Sequence, residues 1–422
     1  MATVFLRQRD ESVKEKSIIA EDPSGVSGLL WSRVVLAMAL TRVGLGYVFG
    51  HLTYVLLTKP NYQFAIISRQ SWLGLFDRWD AVYYQLIAAQ GYPSNLPSLT
   101  AFFPGYPLFL RALHVLTLSQ FSYLSIADFT SAVLVVANAL LLYRVATHFL
   151  TPGVSALSAF LFLFYPTSFF FLAPYRESFE LFIVLLALLA IERQRWLVAS
   201  YLGALAAACD PLGLAVGLGI FVVLLTRRMW WKAVLLGLIS VSGFLVYVAF
   251  LQVRFHNPLE FLAVERFWAR TTTAPWWGVL QNTLAFGKLP QNSFDTNVYI
   301  TWALDDLAAL SALFIFLYAI ATAWRLRRQI LRDFGSFERY VPLAVLLVVG
   351  ILVPVSSSVY PYYHYLYSTG AEARLLSTTV PAYFLAGKLL SRVPTIMLIV
   401  GIAMVVACFF FQSMFNLGYW LT

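Results

Sequence analysis

The segment Phe76-Asp77-Arg78-Trp79-Asp80 sets two carboxylates three residues apart around an arginine and a tryptophan. Downstream, Val82, Leu86 and Ala89 recur at helical spacing until Gly91 and Pro93 stop the run. The pattern predicts a short interfacial helix over about 76–93 with Asp77 or Asp80 at its N-terminus. A carboxylate there can cap the helix, worth about 1 kcal/mol. Partly desolvated, it can instead serve as a general base or electrostatic stabiliser, and a capping aspartate held in one direction can do both. Glu177, beside Tyr175 and Ser178 at the start of an apolar run, is a carboxylate at a boundary where charge is costly and usually functional. Arg374 opens a later apolar run after Tyr362-Tyr363-His364-Tyr365, where a cation either meets an anion or snorkels. Trp268, Trp276 and Trp277 can stack on sugar rings or anchor an interface.

These groups need a frame, and composition limits it. Of 422 residues, 60% are hydrophobic, 17% aromatic and 12% charged, with a mean hydropathy of +0.75. Soluble chains carry about 25% charged residues, so a soluble enzyme, a disordered chain and a fibre are excluded. The net charge of +9 is assigned to cytoplasmic loops rather than to nucleic acid. Cys209 and Cys408 both lie in apolar stretches and offer neither a disulfide framework nor a zinc site, and the five histidines have no ligand spacing.

Apolar runs suited to crossing a bilayer lie at about 29–57, 122–146, 154–172, 175–191, 233–254, 301–323, 340–356, 375–391 and 394–417. Between Trp196 and Leu225, two shorter apolar halves meet at Asp210-Pro211 with basic flanks on both sides, which predicts a hairpin of two short helices. The expected fold is an all-α polytopic membrane protein of about eleven helical segments. Residues 1–27 are expected as an uncleaved cytoplasmic leader and 28–422 as one transmembrane domain. The basic connections then fall inside, and segments 58–121, 255–300 and 357–373 fall outside. Long outer loops usually carry function, so the chemistry should face outward. Asn138, inside the second span, reads as an interhelical hydrogen bond.

A family pattern runs through the same residues. Arg78-Trp79-Asp80, Ile87-Ala88, Gly91-Tyr92 and Ala101-Phe102-Phe103-Pro104-Gly105-Tyr106-Pro107 resemble the first luminal loop of the PIG-V family, the GPI mannosyltransferase 2 enzymes and their prokaryotic relatives. That family belongs to the GT-C superfamily of polytopic glycosyltransferases. Pro166, Ala173-Pro174-Tyr175-Arg176-Glu177-Ser178, Glu192-Arg193, Gly203-Ala204-Leu205, Asn257-Pro258-Leu259-Glu260-Phe261, Trp268, Arg270 and Arg374 are similar in order, over about 76–374. The resemblance implies inverting transfer of mannose or a related sugar from a polyprenyl-phosphate donor to a glycolipid or other lipid-linked acceptor. It implies no cofactor and no metal. Asp80 matches the family aspartate and becomes the expected base, with Asp77 second and Glu177 lining the cavity. Arg78, Arg176, Arg270, His364 and Arg374 are the expected donor-phosphate contacts, and Trp79, Tyr84, Tyr175 and Trp268 the acceptor or sugar contacts.

One departure stands out. The family's hairpin carries an arginine before its turn, whereas this chain reads Cys209-Asp210-Pro211-Leu212-Gly213, and a family serine is Arg176 here. The two changes conserve charge, so an Arg176–Asp210 ion pair is expected, against the alternative that Asp210 caps the second half-helix. The implied setting is a prokaryotic plasma membrane, or the ER membrane in a eukaryote, with membrane lipids as partners, no nucleic acid, and an accessory subunit left open. A secondary transporter would show two related halves with broken helices, and one broken hairpin without a matching half argues against it. A GT-C-like scaffold without activity is the third reading, supported by the missing hairpin arginine.

Overall fold

The structure is a computed structural model that describes residues 25–57, 74–268, 270–285, 293–359 and 371–419. His364 and residues 1–24 of the expected leader lie outside the described residues. Apolar runs become helices wherever no proline interrupts them. In chain order they are α1 (Gly25–Leu56), α2 (Asp80–Gln90), α3 (Gly105–Leu116), α4 (Tyr123–Ala146), α5 (Pro152–Leu163), α6 (Glu177–Glu192), α7 (Trp196–Cys209) and α8 (Leu214–Thr226). They continue with α9 (Trp230–Phe255), α10 (Glu260–Ala263), α11 (Trp277–Ala285), α12 (Ser293–Arg332), α13 (Val341–Leu352), α14 (Glu372–Leu376), α15 (Val380–Leu390) and α16 (Pro394–Asn416). Among the described residues, six stretches are long and apolar enough to cross a membrane: Ser27–Leu56, Tyr123–Ala146, Trp230–Phe255, Ile300–Arg332, Glu338–Ser356 and Pro394–Asn416. This is an all-α, multi-pass membrane protein.

Two expected spans are broken. The run 154–172 is helical only to Leu163, because Pro166 has no N–H to continue the ladder. The carbonyl freed at Leu163 is satisfied by Arg42 Nε at 3.1 Å and Ser168 Oγ at 2.8 Å. Arg42, fully buried on α1, also donates to Gln412 of α16 at 3.0 Å, so it ties three segments together at the break. The run 375–391 divides into α14 and α15 at Ser377-Thr378-Thr379, with Pro381 in the first turn of α15.

The hairpin expected between Trp196 and Leu225 is present. Its arms, α7 and α8, have 14 and 13 residues, about 20 Å each, too short to cross a hydrocarbon core of about 30 Å. The turn requires Gly213, because a Cβ there would sit 2.2 Å from the Ala206 backbone carbon. Asn138 donates to the Ser178 carbonyl at 2.8 Å, the interhelical bond expected of it.

In the first loop region α2 packs against α3. The helix expected over 76–93 is α2, which starts at Asp80 and ends against Gly91 with φ +73, a left-handed turn that suits glycine. The two later loops are joined by a ribbon that three-residue strands were too short to announce. In it β1 (Arg270–Thr272) pairs antiparallel with β2 (Ser357–Val359), with Thr271 opposite Ser358.

Candidate functional site

The site is built where α2, α6 and α14 meet. Asp80 occupies the first position of α2, where helix N–H dipoles favour a carboxylate. Neither Asp77 nor Asp80 makes a side-chain cap to this helix, contrary to the capping expectation. Trp79 precedes it at φ +51, a left-handed conformation that a tryptophan holds only under outside constraint. That constraint is Tyr175, whose hydroxyl donates to the Arg78 carbonyl at 2.9 Å and lies 3.3 Å from the Asp80 N–H.

Arg374, on the single turn α14, reaches both carboxylates. Its Nη1 donates to Asp80 Oδ2 at 2.7 Å and its Nε to Glu177 Oε1 at 2.6 Å. The guanidinium also lies over the Tyr175 ring at 4.6 Å and the Phe170 ring at 5.2 Å. Glu177 is fully buried, while the Asp80 side chain is 25% exposed. The Arg374 charge is thus held by a buried carboxylate, while Asp80 stays partly accessible. A guanidinium forked between two carboxylates has a fixed direction that a lysine point charge lacks.

A second cluster adjoins the first through Glu177 and Arg176, which are consecutive. Arg176 donates to Glu180 Oε2 at 3.0 Å and forms the expected ion pair with Asp210. Asp210 also caps the turn, its Oδ1 accepting the Leu212 N–H at 2.7 Å, so both readings of that residue hold together.

Several expected contacts face elsewhere. Arg78 is buried, with its guanidinium donating to the carbonyls of Gly74, Asp77 and Asn416 at 2.7, 2.9 and 3.1 Å. It therefore braces the loop against α16 instead of presenting a cation to a phosphate. Tyr84 is buried, edge-on to Phe102 and Tyr106 at 5.2 and 5.3 Å, and has no free face for a sugar. Tyr175 is likewise buried, and its hydroxyl is used on the Arg78–Asp80 backbone. Asp77 is buried and accepts from Gln85 Nε2 at 2.8 Å. Burial raises its pKa above the usual carboxylate range, partly offset by Gln85 and by the Arg78 charge. Trp268 is half-buried, donating to the Ser98 carbonyl at 3.1 Å and packing edge-on to Phe102 and Tyr83. Trp79 is half-buried beside Asp80, and Arg270 lies half-buried on β1.

Three carboxylates escaped the sequence reading. Glu265, in a 3-10 turn of the second loop, lies in electrostatic reach of Arg270, Asp210, Arg176 and Asp80, and burial raises its pKa. Asp305 of α12 and Glu372 of α14 are both buried, and their carboxyl groups meet. Asp305 had a readable signal, a carboxylate inside the apolar run 301–323, the same cost that singled out Glu177. Among the described residues, no group of three or more His, Cys, Asp or Glu side chains is arranged to hold a metal ion.

No protein-family model matches the chain, and no curated protein does. Among solved structures the fold is similar to the oligosaccharyltransferase of the archaeon Archaeoglobus fulgidus. For the apo form the TM-score is 0.44 at 13% identity, over 90% of this chain and 56% of that one. For the form tethered to an acceptor peptide it is 0.45 at 11% identity, over 90% and 55%. For a complex with an inhibitory peptide and a dolichol-phosphate it is 0.42 at 11% identity, over 91% and 56%. The chain therefore spans little more than half the length of these proteins.

Proposed function

We propose that this chain is an inverting, GT-C-type glycosyltransferase of the PIG-V-like kind. On this reading it moves mannose or a related sugar from a polyprenyl-phosphate donor to a lipid-linked acceptor at the extracytoplasmic face of a prokaryotic plasma membrane. The observation that carries the reading is the accessible Asp80 carboxylate at the start of α2, fixed by an arginine that a fully buried glutamate holds from behind.

In the proposed step, Asp80 takes the proton of an acceptor hydroxyl through the oxygen that Arg374 leaves open. The acceptor oxygen forms its bond to the anomeric carbon as the bond to the phosphate oxygen breaks on the opposite face. The electron pair leaves with the polyprenyl phosphate, so the anomeric configuration inverts. General-base assistance of this kind contributes about 10²–10⁴-fold. Arg374 is the leading cation for the leaving phosphate, with Arg176 and Arg270 nearby and Trp79 and Trp268 at the rim for sugar contact. His364 keeps the role that the resemblance implies for it. No metal or cofactor takes part. Glu177 orients Arg374, and Asp77 stays out of the chemistry.

The test is sugar transfer by the purified protein in lipid nanodiscs, supplied with a polyprenyl-phosphate-mannose donor and a glycolipid acceptor. Product with inverted configuration supports the proposal. Solute uptake into proteoliposomes without any sugar transfer would favour a transporter.

A further inference from the structure

Asp305 lies on α12 and is fully buried, with no contact to Asp80 or Glu177 among its described bonds. Its Oδ1 accepts the N–H of Ala373 at 2.9 Å, one residue before Arg374. The carbonyl of the same alanine accepts from Thr167 Oγ1 at 3.0 Å. Both main-chain polar groups of Ala373 are therefore held by side chains 68 and 206 residues away in sequence.

The turn so held cannot hold itself. α14 has five residues, and a helix that short has too few internal bonds to persist alone. It is entered through Ala371 at φ +66, a left-handed conformation unfavourable for an alanine. An N-terminal N–H of the turn needs an acceptor, and Ala371, which precedes the turn, has no side chain to cap it. A carboxyl oxygen from α12 does so.

We infer that Asp305 is a positioning residue that acts through Arg374, by pinning the turn that aims the guanidinium between Asp80 and Glu177. Displacement of the turn by about 1 Å would spoil both charge-assisted bonds, and misplacements of that size cost about 10²-fold in well-oriented sites. The effect on transfer rests on the glycosyltransferase reading; the pinning of the turn does not.

Two measurements test it, on the full chain in nanodiscs. Hydrogen–deuterium exchange of peptides covering residues 371–377 should speed up by about three- to tenfold in Asp305→Ala, as expected for losing one buried hydrogen bond. Asp305→Asn keeps an acceptor oxygen and should exchange close to wild type. Should Asp305→Ala fail to fold, Asp305→Glu, which shifts the acceptor by one methylene, carries the same comparison. Unchanged exchange in the folded variant overturns the inference. Transfer kinetics then separate positioning from bracing. Asp305→Ala should lose about 10²-fold alone but less than about twofold in an Arg374→Ala background, because its route is already cut. Multiplicative losses overturn the positioning role. If the wild type transfers no sugar, the functional reading falls, and the exchange result alone decides whether Asp305 sets the Arg374 turn.

Discussion

The Arg176–Asp210 pair can be taken apart in graded steps. Both side chains are largely buried, 10% and 16% exposed, and Arg176 keeps Glu180 as a second partner. Removing one partner of a buried pair costs about 3–5 kcal/mol; with Glu180 retained, about half of that, ~2 kcal/mol, is expected for Asp210→Asn. Asparagine preserves the oxygen that accepts the Leu212 N–H, so Asp210→Ala should lose about 1 kcal/mol more as the cap goes. Asp210→Arg sets two cations side by side, and at about 4 Å with an effective dielectric near 20 the repulsion alone is about 4 kcal/mol. Arg176→Ser combined with Asp210→Arg should recover most of the loss, since the new arginine can take Glu180 as its partner. Unfolding free energy of wild type, Arg176→Ser, Asp210→Arg and the double variant in one detergent, together with sugar transfer, gives the cycle. A coupling above about 2 kcal/mol is expected; one below about 0.5 kcal/mol would refute the compensation argument.

Other perturbations follow from the same geometry. Arg374→Lys keeps the charge but cannot fork between Asp80 and Glu177, so transfer should fall by about tenfold or more while the fold survives; a rate near wild type would remove the fork from the account. Asp77 has a raised pKa from burial, so its folded form favours the proton and wild-type stability falls as pH rises through that raised value. Asp77→Asn should therefore be more stable than wild type at neutral pH, converge with it in acid, and keep most of its transfer activity; melting curves across pH and a rate assay check this. Transfer should persist in EDTA, and complete loss restored by magnesium or manganese would contradict a metal-free step.

How much of this was legible depends on the range of the interaction. Span positions follow from continuous apolar runs, so α1, α4, α9 and α16 begin and end close to where hydropathy puts them. A few polar residues or one proline are averaged out over a span-length apolar run, which is why the turns after Leu163 and Leu376 appear only in the structure. The Arg176–Asp210 pair could be anticipated because a lone aspartate near the membrane needs a cation, and a charge-conserving pair of changes named it. The bonds of Arg374 to Asp80 and Glu177 cross 294 and 197 residues, and nothing local encodes them. Arg78, Tyr84 and Tyr175 share the composition of a substrate-facing rim, yet their polar atoms and rings turn inward to hold the loop. Residue type alone does not distinguish the two directions.

The central claim is that Asp80 is the base, and one rate measures it. Asp80→Asn keeps the size of the side chain and an oxygen for Arg374 while removing the proton acceptor. The variant should fold, bind a polyprenyl-phosphate donor and transfer sugar about 10²-fold or more slowly than wild type in nanodiscs. Transfer by Asp80→Asn at a rate close to wild type would contradict the account.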